Sequence, residues 1–267
     1  MANVLEKIIS DKRREVHQKK QALPLEQLKE RLQGRGKCRN FYKAVTKPNP
    51  RGINIIAEVK RASPSAGLIR SDFDPVDIAI RYQKCRADAI SVLTDQKYFQ
   101  GKTEYIQQIK QHVNLPVLRK EFIVDRWQVY ESRWAGADAI LLIADVLKPA
   151  ELMDLLITAN ELTLTSLVEV YQPETLLKVC SMIGFPKYGY SILGINNRNL
   201  ETMQVDINTT TRLLSLAENI DYVVAESGIK TRGDVEHLKK AGVSACLIGQ
   251  TLCESPSIEN KFKELFD

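Results

Sequence analysis

The sequence predicts a (β/α)8 barrel, also called a TIM barrel, preceded by an N-terminal helical extension. Eight short apolar segments rich in β-branched residues recur along the chain, helix-forming stretches separate them, and most of the segments are apolar on both faces. Strands of this kind are typical of a parallel sheet that helices cover on both sides. Eight such strands joined by helices can close into a barrel without exposed edges.

The eight strands are predicted from the apolar runs. They span residues 53–59, 88–93, 115–119, 138–143, 165–170, 191–195, 221–225 and 244–248. An open doubly wound sheet is the alternative, but it usually has fewer strands and often carries a GxGxxG turn after the first one. The sequence contains no such turn, which favours the closed barrel.

Helix starts and ends are marked by specific residues. Thr231 and Asp234 have capping-box spacing, and Gly242 follows an apolar helical stripe as a helix-ending glycine. Four prolines stand where a first helical turn is expected: Pro75, Pro149, Pro173 and Pro256. Residues 1–47 predict two helices, at roughly 3–20 and 24–34, and a short third segment. We therefore divide the chain into a helical extension, residues 1–47, and a catalytic barrel domain, residues 48–267.

The composition is that of an ordinary globular protein, but the charge is unevenly distributed. Hydrophobic residues make up 44% of the 267, and the net charge is +5. Residues 1–51 contain 14 Lys or Arg and 5 Asp or Glu, so they carry +9 and the rest of the chain −4. A basic extension could bind nucleic acid or an anionic ligand. Because no aromatic stacking platform or binding motif accompanies it, we expect a solvated helix face and no nucleic-acid partner.

The sequence lacks membrane and secretion signals. No apolar run approaches the roughly 18 residues that cross a bilayer, and the N-terminus lacks the apolar core of a signal peptide. We expect a cytoplasmic, monomeric protein without a membrane partner. The five cysteines are an odd number with no CxxC pair, so buried free thiols are expected rather than disulfides or zinc ligands.

Ionisable and polar residues stand where the predicted strands end. The C-terminal ends of all barrel strands meet on one face, which carries the active site. Glu58 and Lys60 are two residues apart and therefore point to the same side. The other residues at or just past strand ends are Lys120, Glu169, Asn196, Arg198 and Glu226. Charges inside apolar strands are costly unless paired, so lysines and glutamates in one pocket could pair and serve acid–base chemistry.

The ends of the last two strands predict a phosphate site. Ser227 and Gly228 follow the seventh strand, and Gly249 and Gln250 follow the eighth. Barrels frequently bind phosphate here through backbone N–H groups, which glycine lets the anion approach closely. Ordinary turn glycines are the alternative interpretation. The histidines lie away from the strand ends and no residues have metal-ligand spacing, so we expect a small phosphorylated substrate and no metal.

Seven segments resemble the indole-3-glycerol-phosphate synthases. They are IIAEVKRASPSAG (55–67), VLTDQKYFQG (92–101), LPVLRKEFIVD (115–125), LVEV (167–170), GINNRNL (194–200), AESGI (225–229) and LIG (247–249). They occur in the family's order over about residues 50–250, and the leading helical extension fits the family too. This series is far more specific than a phosphate motif shared by many barrels.

The resemblance implies an enzyme, a carbon–carbon carboxy-lyase of tryptophan biosynthesis that uses no cofactor. The substrate would be 1-(2-carboxyphenylamino)-1-deoxyribulose 5-phosphate, and the products indole-3-glycerol phosphate, CO2 and water. Condensation, decarboxylation and dehydration require acids and a base, which the strand-end residues supply.

The motif matches also imply residue roles. Lys120, in LRKEF, would be the general acid at the substrate carbonyl, and Glu169, in LVEV, the general base. Lys60 would be a second cation that holds the carboxylate or phosphate or acts as the acid in dehydration. Glu58 would orient a lysine and contact a hydroxyl. Further substrate contacts are expected from Ser63, Phe99, Phe122, Asn196, Arg198 and Glu226. For the two phenylalanines, a purely core role is the alternative.

Three positions depart from the family's pattern. Gln250 stands where many relatives have Ser or Glu, so a side-chain role at the phosphate is not expected of it, although its backbone N–H remains. Residues 181–190 form a longer link into the sixth strand, which we expect on the face opposite catalysis. Cys253 replaces a more typical Met.

Three other functions fit parts of the sequence. Another phosphate-binding barrel enzyme, such as an isomerase, would need a different acid–base pair. A Schiff-base aldolase would use Lys120 as a nucleophile. A non-enzymatic nucleic-acid binder would work through the basic extension, and its affinity would fall steeply with salt.

Overall fold

The computed structural model describes residues 4–217 and 220–267, and within them eight parallel strands close into a barrel. The barrel strands, β1–β8, are Asn54–Val59, Ala89–Leu93, Val117–Lys120, Ala139–Ile143, Thr165–Val170, Ser191–Asn196, Val223–Glu226 and Ala245–Ile248. Each strand pairs in parallel with the next one along the chain, and β8 pairs with β1. The predicted (β/α)8 barrel is therefore confirmed.

Helices precede, connect and follow the strands. In the described residues the α-helices are α1 Val4–Ala22, α2 Leu25–Glu30, α3 Phe41–Thr46, α4 Pro75–Lys84, α5 Gln96–Phe99, α6 Glu104–His112, α7 Arg126–Ala135, α8 Pro149–Glu161, α9 Pro173–Cys180, α10 Asn208–Leu214, α11 Arg232–Lys240, α12 Gln250–Cys253 and α13 Ile258–Phe266. A 3-10 turn spans Ala144–Val146, and Ala62–Ser63 pairs with Gly67–Leu68 in a short antiparallel hairpin. Helices α1–α3 come before β1, while the domain boundary after residue 47 stays a prediction. None of these helices is long and apolar enough to span a bilayer.

The helix starts follow the sequence signals with one exception. Three of the four prolines occupy the first turn of a helix: Pro75, Pro149 and Pro173. The prediction for Pro256 is wrong, because α13 begins two residues later, with Ser257 as its N-cap. The Ser257 hydroxyl accepts the N–H of Asn260 and so supplies the cap that a proline cannot. The capping box of Thr231 and Asp234 is present.

Strand bounds differ from the prediction by one or two residues at several ends. The third strand was expected at 115–119 and the seventh at 221–225, but β3 is Val117–Lys120 and β7 is Val223–Glu226. Lys120 and Glu226 are therefore the last residues of strands. Because side chains alternate along a strand, the barrel itself fixes the direction of both.

The barrel interior is filled in layers by alternate residues of the strands. The lower layers are apolar and include Ile56, Leu118, Leu141, Leu167, Ile192, Val224 and Leu247. Phe41 and Val45 of α3 are fully buried against this inner cluster, and the Asn54 side chain at the start of β1 donates to the Val45 carbonyl. Helix α3 thus closes the N-terminal end of the barrel. Two residues further along the odd-numbered strands, the inward positions become Glu58, Lys120, Glu169 and Glu226.

Candidate active site

Two lysines that are paired with glutamates occupy the C-terminal mouth of the barrel. Lys120 Nζ lies 2.9 Å from Glu169 Oε2 and also contacts Glu226 Oε2. Lys60 Nζ lies 2.8 Å from Glu58 Oε1. In a β/α barrel, the side chains of one interior layer come from alternate strands. The layer supplied by β1, β3, β5 and β7 therefore consists of one lysine and three glutamates.

Burial and neighbouring charge shift the pKa values in this layer. Burial would lower the pKa of Lys120, but the carboxylates of Glu169, Glu226 and Glu58 outweigh it and hold that pKa above its ordinary value. Burial raises the pKa of Glu226 to about 8 against the opposing effect of Lys120, and the charge of Glu169 adds to the rise. The carboxyl groups of Glu169 and Glu226 share the single ammonium group of Lys120. At neutral pH this layer therefore holds one more proton than the same groups would hold if each were alone in water.

The pair of Glu58 and Lys60 is fixed from two sides. Ser91 donates to Glu58 Oε2 at 3.3 Å. Burial would raise the pKa of Glu58, but Lys60 and Lys120 outweigh it and lower that pKa. A Cβ atom on Gly249 would lie 2.2 Å from Glu58 Oε1 and 3.0 Å from Lys60 Nζ. A side chain at position 249 would displace this ion pair, so the end of β8 lies directly against it.

Asn196, one of the expected substrate contacts, lies beside Glu169 and against the backbone of Arg198. Asn196 donates to Glu169 Oε1 at 3.0 Å, and its own Oδ1 accepts the backbone N–H of Arg198 at 2.9 Å. The guanidinium of Arg198 is half-buried, burial lowers its pKa, and it donates to the Met203 carbonyl at 3.2 Å. Its other N–H groups have no partner among the described residues and remain for a ligand in the cavity that Arg198 lines.

One cavity of about 740 Å³ is lined by the charged groups of this layer and their polar neighbours: Glu58, Lys60, Lys120, Glu169, Asn196, Arg198 and Glu226. The rings of Phe99 and Phe122 form part of its wall, with centroids 6.1 Å apart and planes inclined at 43°. Ser63 also lines the cavity, and its hydroxyl accepts the N–H of Ala66 at 3.2 Å, which holds the turn of the hairpin after β1. The volume and the mixed apolar and charged lining suit a small-molecule ligand.

The predicted phosphate end lies where β7 and β8 stop. Ser227 and Gly228 both adopt positive φ angles, +65° and +76°. A Cβ on Gly228 would lie 2.6 Å from Val205, so this loop passes close to the β6–α10 segment. Gly249 is the N-cap of α12, and both it and Gln250 line the cavity. The Gln250 side chain donates to Glu254 at 2.6 Å, which leaves its backbone N–H as the group for an anion.

Helix α1 contributes to the cavity, which the sequence analysis did not predict. Leu5 and Ile8 are buried and line the cavity. Lys12, one turn further on, is 2% exposed and lies 2.8 Å from Asp95 and 3.1 Å from Glu121. These carboxylates follow β2 and β3, so α1 is held over the mouth of the barrel by a buried ion-pair network. The apolar spacing of Leu5 and Ile8 was visible in the sequence, but the surface that they cover was not.

Two further residues that shape the site were missed. A Cβ on Gly194, inside β6, would lie 2.7 Å from Glu226 Oε1, so the glycine makes room for that carboxylate. An isolated glycine in a strand is a known signal of close approach, and it could have been used. Ser91 in β2, which donates to Glu58, carries no comparable signal in the sequence.

The three histidines lie outside the cavity. His17 lies on α1, His112 ends α6 and His237 lies on α11, and none of them lines the cavity. In residues 4–217 and 220–267 no three His, Cys, Asp or Glu side chains are placed to hold a metal ion. A reaction without metal or cofactor stays a prediction.

Comparison with known proteins identifies the family. The family model described as indole-3-glycerol phosphate synthase matches residues 5–265. The chain belongs to the indole-3-glycerol phosphate synthase family. A synthase of that name from Acetivibrio thermocellus is 42% identical over 98% of this chain and 98% of its own length. Another from Priestia megaterium is 46% identical over 85% of this chain and 87% of its own.

Solved structures with much lower identity share the fold. A 3-hexulose-6-phosphate synthase has a TM-score of 0.63 at 14% identity, covering 80% of this chain and 98% of that one. Orotidine 5'-phosphate decarboxylase from Pyrococcus horikoshii has a TM-score of 0.59 at 14% identity, with 80% and 97% covered. At such identities the likeness shows the barrel alone. Membership in the synthase family, by contrast, confirms the enzyme class predicted from the sequence, a carboxy-lyase of tryptophan biosynthesis.

Proposed function

We propose that the cavity at the mouth of the barrel closes the indole ring of 1-(2-carboxyphenylamino)-1-deoxyribulose 5-phosphate, with loss of CO2 and water. One observation carries the proposal: the ammonium of Lys120 lies between the carboxylates of Glu169 and Glu226, in the same cavity as the pair of Glu58 and Lys60. The reaction needs a proton donor and a proton acceptor on one face of a folded substrate, and this layer supplies both.

Lys120 is assigned the role of general acid. The carboxylates that surround it keep it as an ammonium, the form that can protonate the substrate carbonyl while the aromatic carbon attacks. A Schiff-base aldolase needs the same lysine as a free amine, which a depressed pKa would favour. The direction of the shift therefore supports acid catalysis over the aldolase.

Glu169 is assigned the role of general base, which takes the proton from the ring carbon that attacked as the ring regains its aromaticity. One carboxylate oxygen of Glu169 accepts a hydrogen bond from Lys120, and the other accepts one from the side-chain amide of Asn196. The carboxylate is therefore held in one orientation. Glu226 contacts the same ammonium and is given the task of holding Lys120 in place, in addition to the substrate contact expected from the sequence.

The remaining residues are assigned to the two ends of the substrate. Arg198 and Asn196 would hold the carboxylate of the anthranilate ring, since a guanidinium matches its two oxygens. Phe99, Phe122 and Ser63 would enclose the ring. The phosphate would accept backbone N–H groups near the ends of β7 and β8: Ser227, Gly228, Gly249 and Gln250. Lys60, paired with Glu58 in the same cavity, is assigned the role of second cation, which serves dehydration or anion binding.

Incubation with the carboxyphenylamino ribulose phosphate, followed by indole fluorescence, tests the activity. We expect turnover by the natural chain, and absence of indole product would overturn the proposal. Glu169→Gln keeps the shape of the base and removes its basicity, so kcat should fall by about 10²–10⁴-fold. An unchanged kcat in this variant would remove Glu169 from the role of base while leaving the activity itself established.

We also propose that this biosynthetic enzyme is a cytoplasmic monomer, as the sequence predicts. Light scattering on the purified chain would test the monomer, and a mass of about twice 30.3 kDa would contradict it.

A further inference from the structure

A second cavity lies away from the active site and is lined by cationic side chains. Its volume is about 320 Å³, and it is bounded by the segment between α2 and α3 and by the C-terminal parts of α6 and α7. The charged residues that line it are Arg35, Lys37, Arg39, Lys110 and Arg133, and no carboxylate of the described residues is among its lining. Within the part of the chain that the structure describes, it shares no lining residue with the catalytic cavity.

Two of the five cations have partners. Lys110 Nζ lies 2.6 Å from Asp138 Oδ1, which is fully buried behind the cavity. Arg39 donates to the carbonyls of Val113 and Leu115 at 2.7 and 2.8 Å and so caps the end of α6. The C-terminal end of a helix dipole is negative and attracts cations, which explains the position of Arg39 at the end of α6.

The other three cations are not neutralised. Arg133 is 8% exposed, yet its guanidinium contacts only the neutral carbonyl of Gly36 among the described residues. The side chains of Arg35 and Lys37 make no hydrogen bond or ion pair within residues 4–217 and 220–267. Burial lowers the pKa of Arg35, and the neighbouring charge of Arg133 lowers it further. Arg35 and Lys37 are exposed, so the cost of a buried cation without a counterion falls on Arg133, and an anion held among these three cations would offset it.

The distribution of charge in the extension supports this reasoning. Many basic residues of the extension lie against carboxylates, namely Lys12, Lys19, Lys20, Lys29 and Lys47. The excess positive charge of the extension is therefore concentrated in part at this cavity rather than spread over a solvated helix face.

We propose that this cavity binds a small anion with two or more negative charges, of the phosphate class, such as pyrophosphate or an organic phosphate. Guanidinium groups bind phosphate oxygens in pairs, and the cavity has the volume of the smaller ligand sites, about 300 Å³. Arg35 and Lys37 belong to the extension, whereas Lys110 and Arg133 belong to barrel helices. A bound anion therefore links the extension to the barrel, and it stabilises the fold.

Thermal unfolding and calorimetric titration with sodium pyrophosphate test this proposal, with sodium chloride at equal ionic strength as the blank. We expect Tm of the natural chain to rise by a few degrees with pyrophosphate. Arg35 and Lys37 are both exposed, so R35Q/K37Q should fold. In this variant Kd should be weaker by about tenfold or more, and the rise in Tm should be lost.

The matched control is R14Q/K43Q, which removes two exposed positive charges of the same extension outside the cavity. It should keep the natural response to pyrophosphate. Both variants should turn over the synthase substrate normally, because neither touches the catalytic cavity.

Three results would overturn the proposal. The first is absence of pyrophosphate binding by the natural chain. The second is an equal response of R35Q/K37Q and the natural chain, which would place the anion in the catalytic cavity. The third is preferential binding of a single-stranded oligonucleotide with a steep salt dependence, which would assign the cluster to nucleic acid.

Discussion

At the scale of single residues, the site depends on one ammonium group that several carboxylates share. Glu169 and Glu226 both contact Lys120, and Glu58 lies close enough to raise its pKa. Removal of one member of a buried ion pair normally leaves an uncompensated charge. In this layer the carboxylates can instead take up a proton, which limits the loss of stability.

Lys120→Ala should reduce kcat by about 10²–10⁴-fold, because it removes the proton donor from the carbonyl of the substrate. Indole fluorescence measures turnover, and circular dichroism with Tm shows whether the barrel is intact. Lys178→Ala, at an exposed position of α9, should behave like the natural chain. Near-normal turnover by a folded Lys120→Ala enzyme would contradict the acid role.

The raised pKa of Glu226 predicts that the stability of the folded protein depends on pH. In the unfolded chain this carboxyl titrates near 4.5, and in the folded chain near 8. Between these values the folded state binds the extra proton, so the contribution of Glu226 is fully present below pH 4.5 and is lost as pH rises through about 8. Glu226→Gln should remove this dependence, and denaturant unfolding at pH 5 and pH 8 measures it.

The control for this experiment is Glu161→Gln, an exposed carboxylate at the end of α8. It should lose stability between pH 5 and pH 8 as the natural chain does. The same pH slope in Glu226→Gln and in the control would show that Glu226 is ionised in the folded state at neutral pH.

At the scale of elements, helix α1 works as a cover for the active site. Its buried Lys12 reaches Asp95 and Glu121, while Leu5 and Ile8 line the cavity. Asp11, on the same helix, accepts hydrogen bonds from Lys97 at 2.7 Å and from Tyr98, both in α5. Since Phe99 ends α5, these contacts also position the aromatic wall.

Lys12→Met should raise KM more than it lowers kcat, because α1 then loses its buried anchor while the catalytic layer stays complete. Loss of one partner from a buried pair costs about 3–5 kcal/mol, so Tm should fall as well. Lys20→Met is the matched control, since the pair of Lys20 and Asp125 on the same helix is exposed and worth about 0–1 kcal/mol. Equal effects of the two substitutions on KM would exclude a specific role for Lys12.

At the scale of the whole molecule, the barrel separates stability from catalysis. Helix α3 closes one end, and the ion pairs occupy the other. Such a division is general in barrels, where the C-terminal face carries the chemistry.

Phe41→Ala should therefore lower the free energy of unfolding by about 3–5 kcal/mol and leave KM unchanged at a temperature where the protein stays folded. Ile157→Ala, at a half-exposed position on α8, should change stability by less than about 0.5 kcal/mol. Denaturant unfolding and steady-state kinetics measure the two quantities. A change of KM on the scale of the change in stability would mean that the two ends are coupled.

Local chemistry in the sequence was sufficient for the order of strands and helices, for the closed barrel and for the residues at the strand ends. Buried parallel strands require continuous apolar runs, and helix starts require caps, so both leave marks that can be seen one segment at a time. The rule that strand ends carry the active site predicts, from the sequence alone, that Glu58, Lys120, Glu169 and Glu226 lie on one face.

Only the tertiary structure decided which charges meet, which surface α1 covers, and that Gly194 and Gly249 leave room for carboxylates. Those outcomes depend on the stagger of eight strands around the closed barrel and on contacts between residues far apart in the chain. Local propensity carries no information about either, because a side chain's partner across a barrel is set by the closure of the sheet and not by its neighbours in sequence.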